Sequence, residues 1–200
     1  VRYLTNRSSG KMGYALAEEA VARGARTILV SGPTDLTPPR GVEIIRVETA
    51  MQMRSAALDR LAEATVVIKA AAVSDYRVAS PADSKIEKRN QPLTLDLVPN
   101  PDILKEIGAQ KGERIVVGFA AETGDVVRRA QHKLTEKKLD LIVANDVSRE
   151  GAGFACDTNL VGILDPEGGV EALPMLPKRQ VARRIFDRIV RLRQQKGCRG

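Results

Sequence analysis

Apolar residues recur at helical spacing from Gly10 to about Arg23, where Met12, Ala15, Leu16 and Ala20 share a face and Gly24 supplies a stop. Thr27–Val30 then reads as a buried strand closed by Ser31-Gly32-Pro33, and a second β run, Val42–Val47, follows the Pro38-Pro39 loop. Residues 49–64 return to helical spacing and Thr65–Ala72 is the next strand. The pattern resumes with a helix near 101–110, a strand at Ile115–Phe119, a helix at 124–138 and a strand at Leu141–Asn145. Apolar strands alternating with helices predict an α/β fold: a Rossmann-like, doubly wound, mostly parallel sheet.

Between Ala72 and Pro99 the rhythm breaks. Residues 77–92 are polar, charged and Pro-containing, and a short alternating strand at Leu93–Val98 fits an antiparallel excursion, which we read as a mobile flap. Past Asp146 a Gly-containing loop runs to Asp157. A hairpin follows, Asn159–Leu164 with Val170–Leu173 around Pro166–Gly169, and then a final helix from about Pro177 to Gln195. No repeat or low-complexity tract interrupts the order.

At 200 residues and 43% hydrophobic content, the chain can bury one proper core. Cys156 and Cys198 lack metal or redox spacing, so both read as free thiols, and Cys156 after Phe154 reads as packing. No stretch approaches the ~20 apolar residues of a membrane helix and no secretory leader opens the chain, so the cytoplasm is the expected compartment. The chain starts at Val1 and enters a polar loop almost at once, which leads us to expect a fragment lacking its first strand. Lys and Arg exceed Asp and Glu by 32 to 25, a net +7 that favours anionic partners. Much of that excess surrounds the apolar row Val181, Ile185, Ile189 and Leu192, as on the solvated side of a core-facing helix, and aromatic residues are few. Nucleic acid is therefore not the expected partner, and neither is a membrane.

Thr5-Asn-Arg-Ser-Ser-Gly-Lys-Met-Gly13 is a polar turn running into an amphipathic helix, an arrangement that directs main-chain N–H groups and the positive helix end at one spot. It is not a P-loop, since Thr5 and Met12 stand where Gly and Ser or Thr are required. The dinucleotide fingerprint fails too, with only Gly10 and Gly13 and no preceding strand. What remains is a different phosphate or acyl-phosphate cradle built on Ser8, Ser9, Gly10, Lys11 and Gly13, with Asn6 and Arg7 beside it. The alternative is an ordinary Ser-capped helix.

In open parallel sheets, ligands sit beyond the carboxyl ends of the strands. Here those ends are polar: Ser74, Asp75 and Tyr76; Asn100, Pro101 and Asp102; Glu122 and Thr123; Asn145 and Asp146. Asp75 suits Mg²⁺ beside bound phosphates, while Asp102 and Asp146 are equally well read as caps. Lys85 and Lys88 in the flap can close over a triphosphate. Lys133 and Lys137, four apart, share a helix face suited to phosphate or a base edge, although a charged outer face explains them equally. His132 is the only histidine and has no triad partner.

Asn6–Gly13, Ala70-Ala-Ala-Val-Ser-Asp-Tyr76, Lys85-Ile-Glu-Lys88, Asn100-Pro-Asp-Ile103, Val117–Thr123 and Ala144-Asn-Asp146 together make the chain resemble bacterial phosphopantothenoylcysteine synthetases, the ligase half of bifunctional coenzyme A biosynthesis proteins. The likeness covers nearly the whole chain. It departs in lacking a decarboxylase half and the family's opening strand with its Gly-Pro-Thr segment. The resemblance implies a single nucleotide-binding ligase domain over residues 1–200 that joins 4′-phosphopantothenate to L-cysteine using CTP and Mg²⁺, through an acyl-cytidylate, with no flavin. It puts Lys69, Ala70, Ala71, Asp75, Pro101, Asp102, Ile103, Leu104 and Phe119 beside the nucleotide, completed by Lys85, Lys133 and Lys137. Asn6, Arg2 and Lys85 become the catalytic set. It further implies a homodimer formed through the 73–99 excursion, fused to a decarboxylase in the parent protein. A nicotinamide- or flavin-dependent oxidoreductase of Rossmann type is the competing reading.

Overall fold

The computed structural model describes residues 4–6, 8–82, 84–87, 92–122, 124–146 and 158–197. In chain order the elements are α1 (Lys11–Ala22), β1 (Thr27–Ser31), β2 (Val42–Arg46), α2 (Ala50–Asp59), a 3-10 turn (Leu61–Glu63), β3 (Val66–Lys69), β4 (Tyr76–Val78), β5 (Leu97–Pro99), α3 (Ile103–Ala109), β6 (Ile115–Glu122), α4 (Val126–Glu136), β7 (Leu141–Asp146), β8 (Thr158–Asn159), β9 (Val161–Leu164), β10 (Val170–Ala172), β11 (Leu176–Pro177) and α5 (Lys178–Gly197). Five strands form one sheet in the order β10-β9-β7-β6-β3; β3, β6 and β7 run parallel, and β9 and β10 return antiparallel.

β6 and β7 read as unbroken apolar runs because both of their faces are covered. Alternation along the pleat divides the core in two. Ile115 and Val117 face α1 and α5 and pack with Leu16, Val181, Ile185 and Ile189. Val116, Ala120 and Ile142 face α3 and α4 and pack with Leu104, Ile107, Leu134 and Leu139. The result is three layers, helices on either side of a sheet. Most of the α5 cations turn outward as the pattern predicts, while Lys178 at its start is buried. Arg188 pairs with Asp165 at 2.6 Å, and Arg184 pairs with Glu171, so α5 is tied to the β9–β10 hairpin by charge as well as by packing.

β1 and β2 form a separate parallel pair. Side chains join it to the rest: the Tyr14 hydroxyl of α1 lies 3.2 Å from Ser31 Oγ at the end of β1, while Met53, Ala57 and Leu58 of α2 pack on the α3–α4 side of the core.

Several boundaries differ from the periodicity. The expected strand over Thr65–Ala72 ends at Lys69, because the alanines that follow have little bulk to favour a pleat and the backbone leaves the ladder to carry the 73–76 loop. The predicted 49–64 helix stops at Asp59 and continues as a 3-10 turn, where Arg60 pairs with Glu63 at 2.7 Å and with Glu43 of β2. β6 extends three residues past Phe119, since Ala120–Glu122 pair with Ala144–Asp146. Glu122 therefore lies within a strand and not after one. The Leu93–Val98 strand contracts to Leu97–Pro99, which does pair antiparallel, with β4. The expected Asn159–Leu164 strand breaks at Leu160 into β8, paired with β11, and β9, paired with β10.

Candidate functional site at the strand ends

Three segments meet beyond the carboxyl ends of β3 and β6. The Asn100 side-chain amide donates to the Ser74 carbonyl at 2.8 Å, and its main-chain N–H donates to the Asp75 carbonyl at 2.8 Å. Arg77 fastens the same junction, donating to the Pro99 carbonyl at 2.6 Å and to Asn100 Oδ1 at 3.3 Å. Asn6 reaches in from the opening loop, its Nδ2 donating to the Val73 carbonyl at 3.4 Å. Residues far apart in the chain thus share one rim, fixed mostly through main-chain carbonyls, and Arg77 is the charged side chain spent on the junction.

Charge gathers on the α3–α4 side of that rim. Asp102 caps α3 by accepting from the Lys105 N–H at 3.1 Å, and its other oxygen takes Lys137 Nζ at 2.8 Å. Burial alone pushes the Asp102 carboxyl up, but the Lys137 ammonium and the Lys105 amide outweigh it and hold it below the usual aspartate range. Lys69, the last residue of β3, is partly buried and donates to the Ala71 carbonyl at 3.0 Å. Burial, followed by its neighbour Lys137, pulls its pKa down, and Asp102 and Asp75 only partly offset this.

α3 is held against its neighbours by a fork of charge-assisted bonds. Arg54 of α2 donates from Nε at 2.9 Å to both Glu106 oxygens and from Nη2 at 2.6 Å. At Gly108 the helix touches α4 directly: an added Cβ would lie 1.8 Å from the Lys137 carbonyl oxygen. Gly118, in register with Lys69, lies beneath Leu104 and Leu139, whose methyl carbons would stand 2.7 and 2.8 Å from a Cβ there. Gly108 and Gly118 were not singled out from sequence. The available signal was Gly108 itself, a helix-weakening residue inside an apolar helical pattern, which points to close packing.

The Asp102 carboxylate gives a pH signature. A depressed folded pKa contributes stability that is complete above the unfolded value and is lost as pH falls through the folded value. Asp102→Asn keeps a competent cap while removing the charge, so it should cost a few tenths to about 1 kcal/mol at pH 7 and flatten the stability profile below about pH 4. Urea melts of both proteins from pH 7 to pH 2 measure this; profiles parallel throughout would deny the ion pair any share of stability.

At the opening loop, Gly10 holds the N-cap position of α1 with φ 72°. Ser8 Oγ accepts from the Gly10 N–H at 3.3 Å. Thr34 donates to the Ser9 carbonyl at 3.3 Å, and its Oγ1 would be 3.3 Å from a Cβ at Gly10, so both conformation and space call for glycine there. Gly13 has open space on its Cα.

The remaining expected residues fall into groups. Ala70 and Phe119 lie on the α1 side of the sheet end, across from Lys69, Asp102 and Lys137. Ile103 and Leu104 are 3% and 4% exposed, so their side chains are core and only their backbone stands beside the rim with Pro101. Lys137 joins the charged cluster, whereas Lys133 lines a neighbouring groove of about 530 Å³ with Asp125, Arg128, Arg129 and His132. Lys85 is exposed and makes no hydrogen bond or ion pair to the rim among the described residues. Arg2, Arg7, Lys88, Thr123, Cys156 and Cys198 lie outside the described residues, as do the side chains of Glu122 and Asp146. Among the described residues no three His, Cys, Asp or Glu side chains cluster as a metal site, and no helix is long and apolar enough to cross a membrane.

A three-layer sheet whose strand ends collect an asparagine and a lysine–aspartate cluster defines an α/β domain with a polar, charged rim. The chain belongs to the family described as the DNA/pantothenate metabolism flavoprotein C-terminal domain, which matches residues 1–192. It is 49% identical over 200 residues to the coenzyme A biosynthesis bifunctional protein CoaBC of Bacillus subtilis (strain 168), a match that covers 100% of this chain and 49% of that protein. The chain spans about half the length of the curated relatives it matches. The crystal structure of a CoaBC C-terminal domain superimposes with a TM-score of 0.81 at 44% identity, covering 98% of this chain and 90% of that one. A Streptococcus pneumoniae structure described as a DNA/pantothenate metabolism flavoprotein shares the fold, with a TM-score of 0.81 at 21% identity over 96% of this chain and 92% of its own.

Proposed function

We propose that this chain is the ligase domain of a coenzyme A biosynthesis enzyme, joining 4′-phosphopantothenate to L-cysteine with CTP. The observation that carries this reading is the convergence of Asn6, Lys69, Asp75, Asp102 and Lys137 on one rim, in a chain 49% identical to a coenzyme A biosynthesis protein. In the first step a pantothenate carboxylate oxygen attacks the α-phosphorus of CTP and pyrophosphate leaves. In the second, the cysteine amine attacks the acyl carbon, the C–O bond to CMP breaks and an amide forms as the amine gives up its proton.

Such activation needs charge neutralisation and alignment more than a strong general base, and this suits a rim of lysines, amides and backbone donors with no histidine. Lys69 and Lys137 face the phosphates, the Ser8–Gly13 turn takes a further anionic group, and Asn6 donates to the acyl oxygen as charge builds there. Lys85 covers the site from the excursion and Arg2 assists from the opening segment. A lone Asp75 carboxylate fits a Mg²⁺ ion that keeps most of its shell from water and substrate phosphates. When bound, that ion neutralises phosphate charge.

Release of pyrophosphate that requires both CTP and 4′-phosphopantothenate, followed by cysteine-dependent CMP formation, tests the proposal; nicotinamide oxidation in place of both would overturn it.

Two copies pair through the excursion in this reading. Tyr76, Leu93, Leu95 and Leu97 are 52%, 66%, 50% and 45% exposed, an apolar surface that a second copy would cover. Sedimentation should give a dimer for the native chain and a monomer for Leu95→Lys. An unchanged mass for the variant would move the interface elsewhere.

A further inference from the structure

Lys85 sits on a segment that the core does not hold. Every described residue from 79 to 97 is exposed, so no buried packing sets the direction in which this excursion leaves the sheet. A two-stranded hairpin is marginally stable by itself in water. Its orientation therefore depends on the neck, where β4 and β5 pair antiparallel and main-chain bonds of 2.8 Å close either end, from the Asn100 N–H to the Asp75 carbonyl and from the Ala79 N–H to the Asp96 carbonyl. Among the described residues, Arg77 is the one side chain of the excursion that crosses this neck. From β4 its Nη1 donates to the Pro99 carbonyl at 2.6 Å and to Asn100 Oδ1 at 3.3 Å, both on the returning strand or just past it. Asn100 in turn donates to the Ser74 carbonyl at 2.8 Å, so the guanidinium stands where the excursion joins the strand-end rim. It is exposed and meets two neutral oxygens there.

We propose that Arg77 is a positioning residue: by tying Pro99 and Asn100 to β4 it fixes the angle at which the excursion stands over the rim, and so places Lys85 for the reaction. The inference rests on the ligase reading above, in which Lys85 covers the site, and adds to it the side chain that aims that lysine. The lever arm is what makes the neck matter. Lys85 lies eight residues past Arg77, a reach of up to about 26 Å in extended chain, so a swing of ~10° at the neck displaces it by as much as ~4 Å. A misplacement of about 1 Å already costs on the order of 10²-fold where a reaction depends on alignment. An exposed side chain of this kind contributes little to global stability, so what its two bonds fix is an angle and not the fold.

The test is a double-mutant cycle on the full chain: Arg77→Met, Lys85→Gln and both together, assayed by pyrophosphate release with CTP, 4′-phosphopantothenate and cysteine, alongside thermal melts and sedimentation. Arg77→Met should lower kcat about tenfold in the native background and less than about threefold when Lys85 is already glutamine, because a residue that works by aiming Lys85 then has nothing left to aim. Its melting temperature should stay within about 2 °C of the native value and its mass in sedimentation should not change. Losses that multiply in the double variant overturn the inference, since Arg77 would then act independently of Lys85. So does an Arg77→Met chain with native turnover. A variant that melts well below the native chain, or changes its state of association, also overturns it by making Arg77 a fold or interface residue. Native turnover in Lys85→Gln removes that lysine from the reaction and the inference with it, while the ligase reading stands. A native chain that releases no pyrophosphate rejects both.

Discussion

Gly108→Ala should lower the melting temperature by roughly 6–12 °C, a loss of about 3 kcal/mol for a domain of this size. Two effects oppose each other. Alanine gains at most about 1 kcal/mol of helix propensity over glycine, and less at the penultimate residue of α3. Against that, the new methyl would sit 1.8 Å from the Lys137 carbonyl oxygen and 3.0 Å from its carbon, main-chain atoms at the end of α4 that cannot rotate aside. Relief requires α3 to move away from α4, so overpacking wins. The same displacement would pull Asp102 from Lys137, and nucleotide affinity should fall with stability. Gly118→Ala is the control, because its obstructions are the methyl ends of Leu104 and Leu139, which can shift, and its penalty should be smaller. Calorimetric melts of the two variants decide the matter; a Gly108→Ala protein as stable as the native chain would mean that α3 and α4 are not in direct main-chain contact.

Asn6→Asp should slow amide formation with cysteine on the order of 10²-fold while leaving pyrophosphate release much less affected. The substitution preserves shape but replaces the Nδ2 donor with a negative oxygen. In the proposed first half-reaction charge develops at the α-phosphate, where lysines and main-chain N–H groups would serve. In the second it develops on the acyl oxygen, where a single amide donor is worth about 3 kcal/mol. Asn6 is exposed and reaches the Val73 carbonyl at 3.4 Å, so its loss removes little from the fold. Rapid-quench measurement of both half-reactions separates the outcomes, and equal slowing of the two would reassign Asn6 to substrate binding.

Much of this organisation was legible in the chain because short-range pattern carries it. β6 and β7 are apolar at successive positions, which only a sheet covered on both faces explains, and α1, α4 and α5 show their buried faces by spacing. The polar residues that follow each strand marked the rim. What was not legible depends on pairs brought together by packing. Lys133 and Lys137 look equivalent at four-residue spacing, yet α4 ends at Glu136, and Lys137, as its C-cap, turns to Asp102 while Lys133 lines a groove. Ile103 and Leu104 resemble rim residues by motif but are core by packing, since Leu104 covers Gly118. The Arg54–Glu106 fork joins residues 52 positions apart, and no local periodicity encodes it. The early end of β3 is likewise hidden: the alanine run continues the apolar pattern and β6 continues beside it to Glu122, yet β3 leaves the ladder after Lys69.

The division of the strands into a five-stranded sheet and the β1–β2 pair has a thermodynamic consequence. The pair is only partly buried over most of its length, whereas the central strands β6 and β7 are almost wholly enclosed, so opening of the pair takes less free energy than global unfolding. Thr34, in the connection between β1 and β2, braces Ser9 and Gly10 at the start of α1. Breathing of the weaker unit would therefore loosen the proposed anion cradle, and by reciprocity an anion seated there would quieten the weaker unit, so occupancy and local order would rise together.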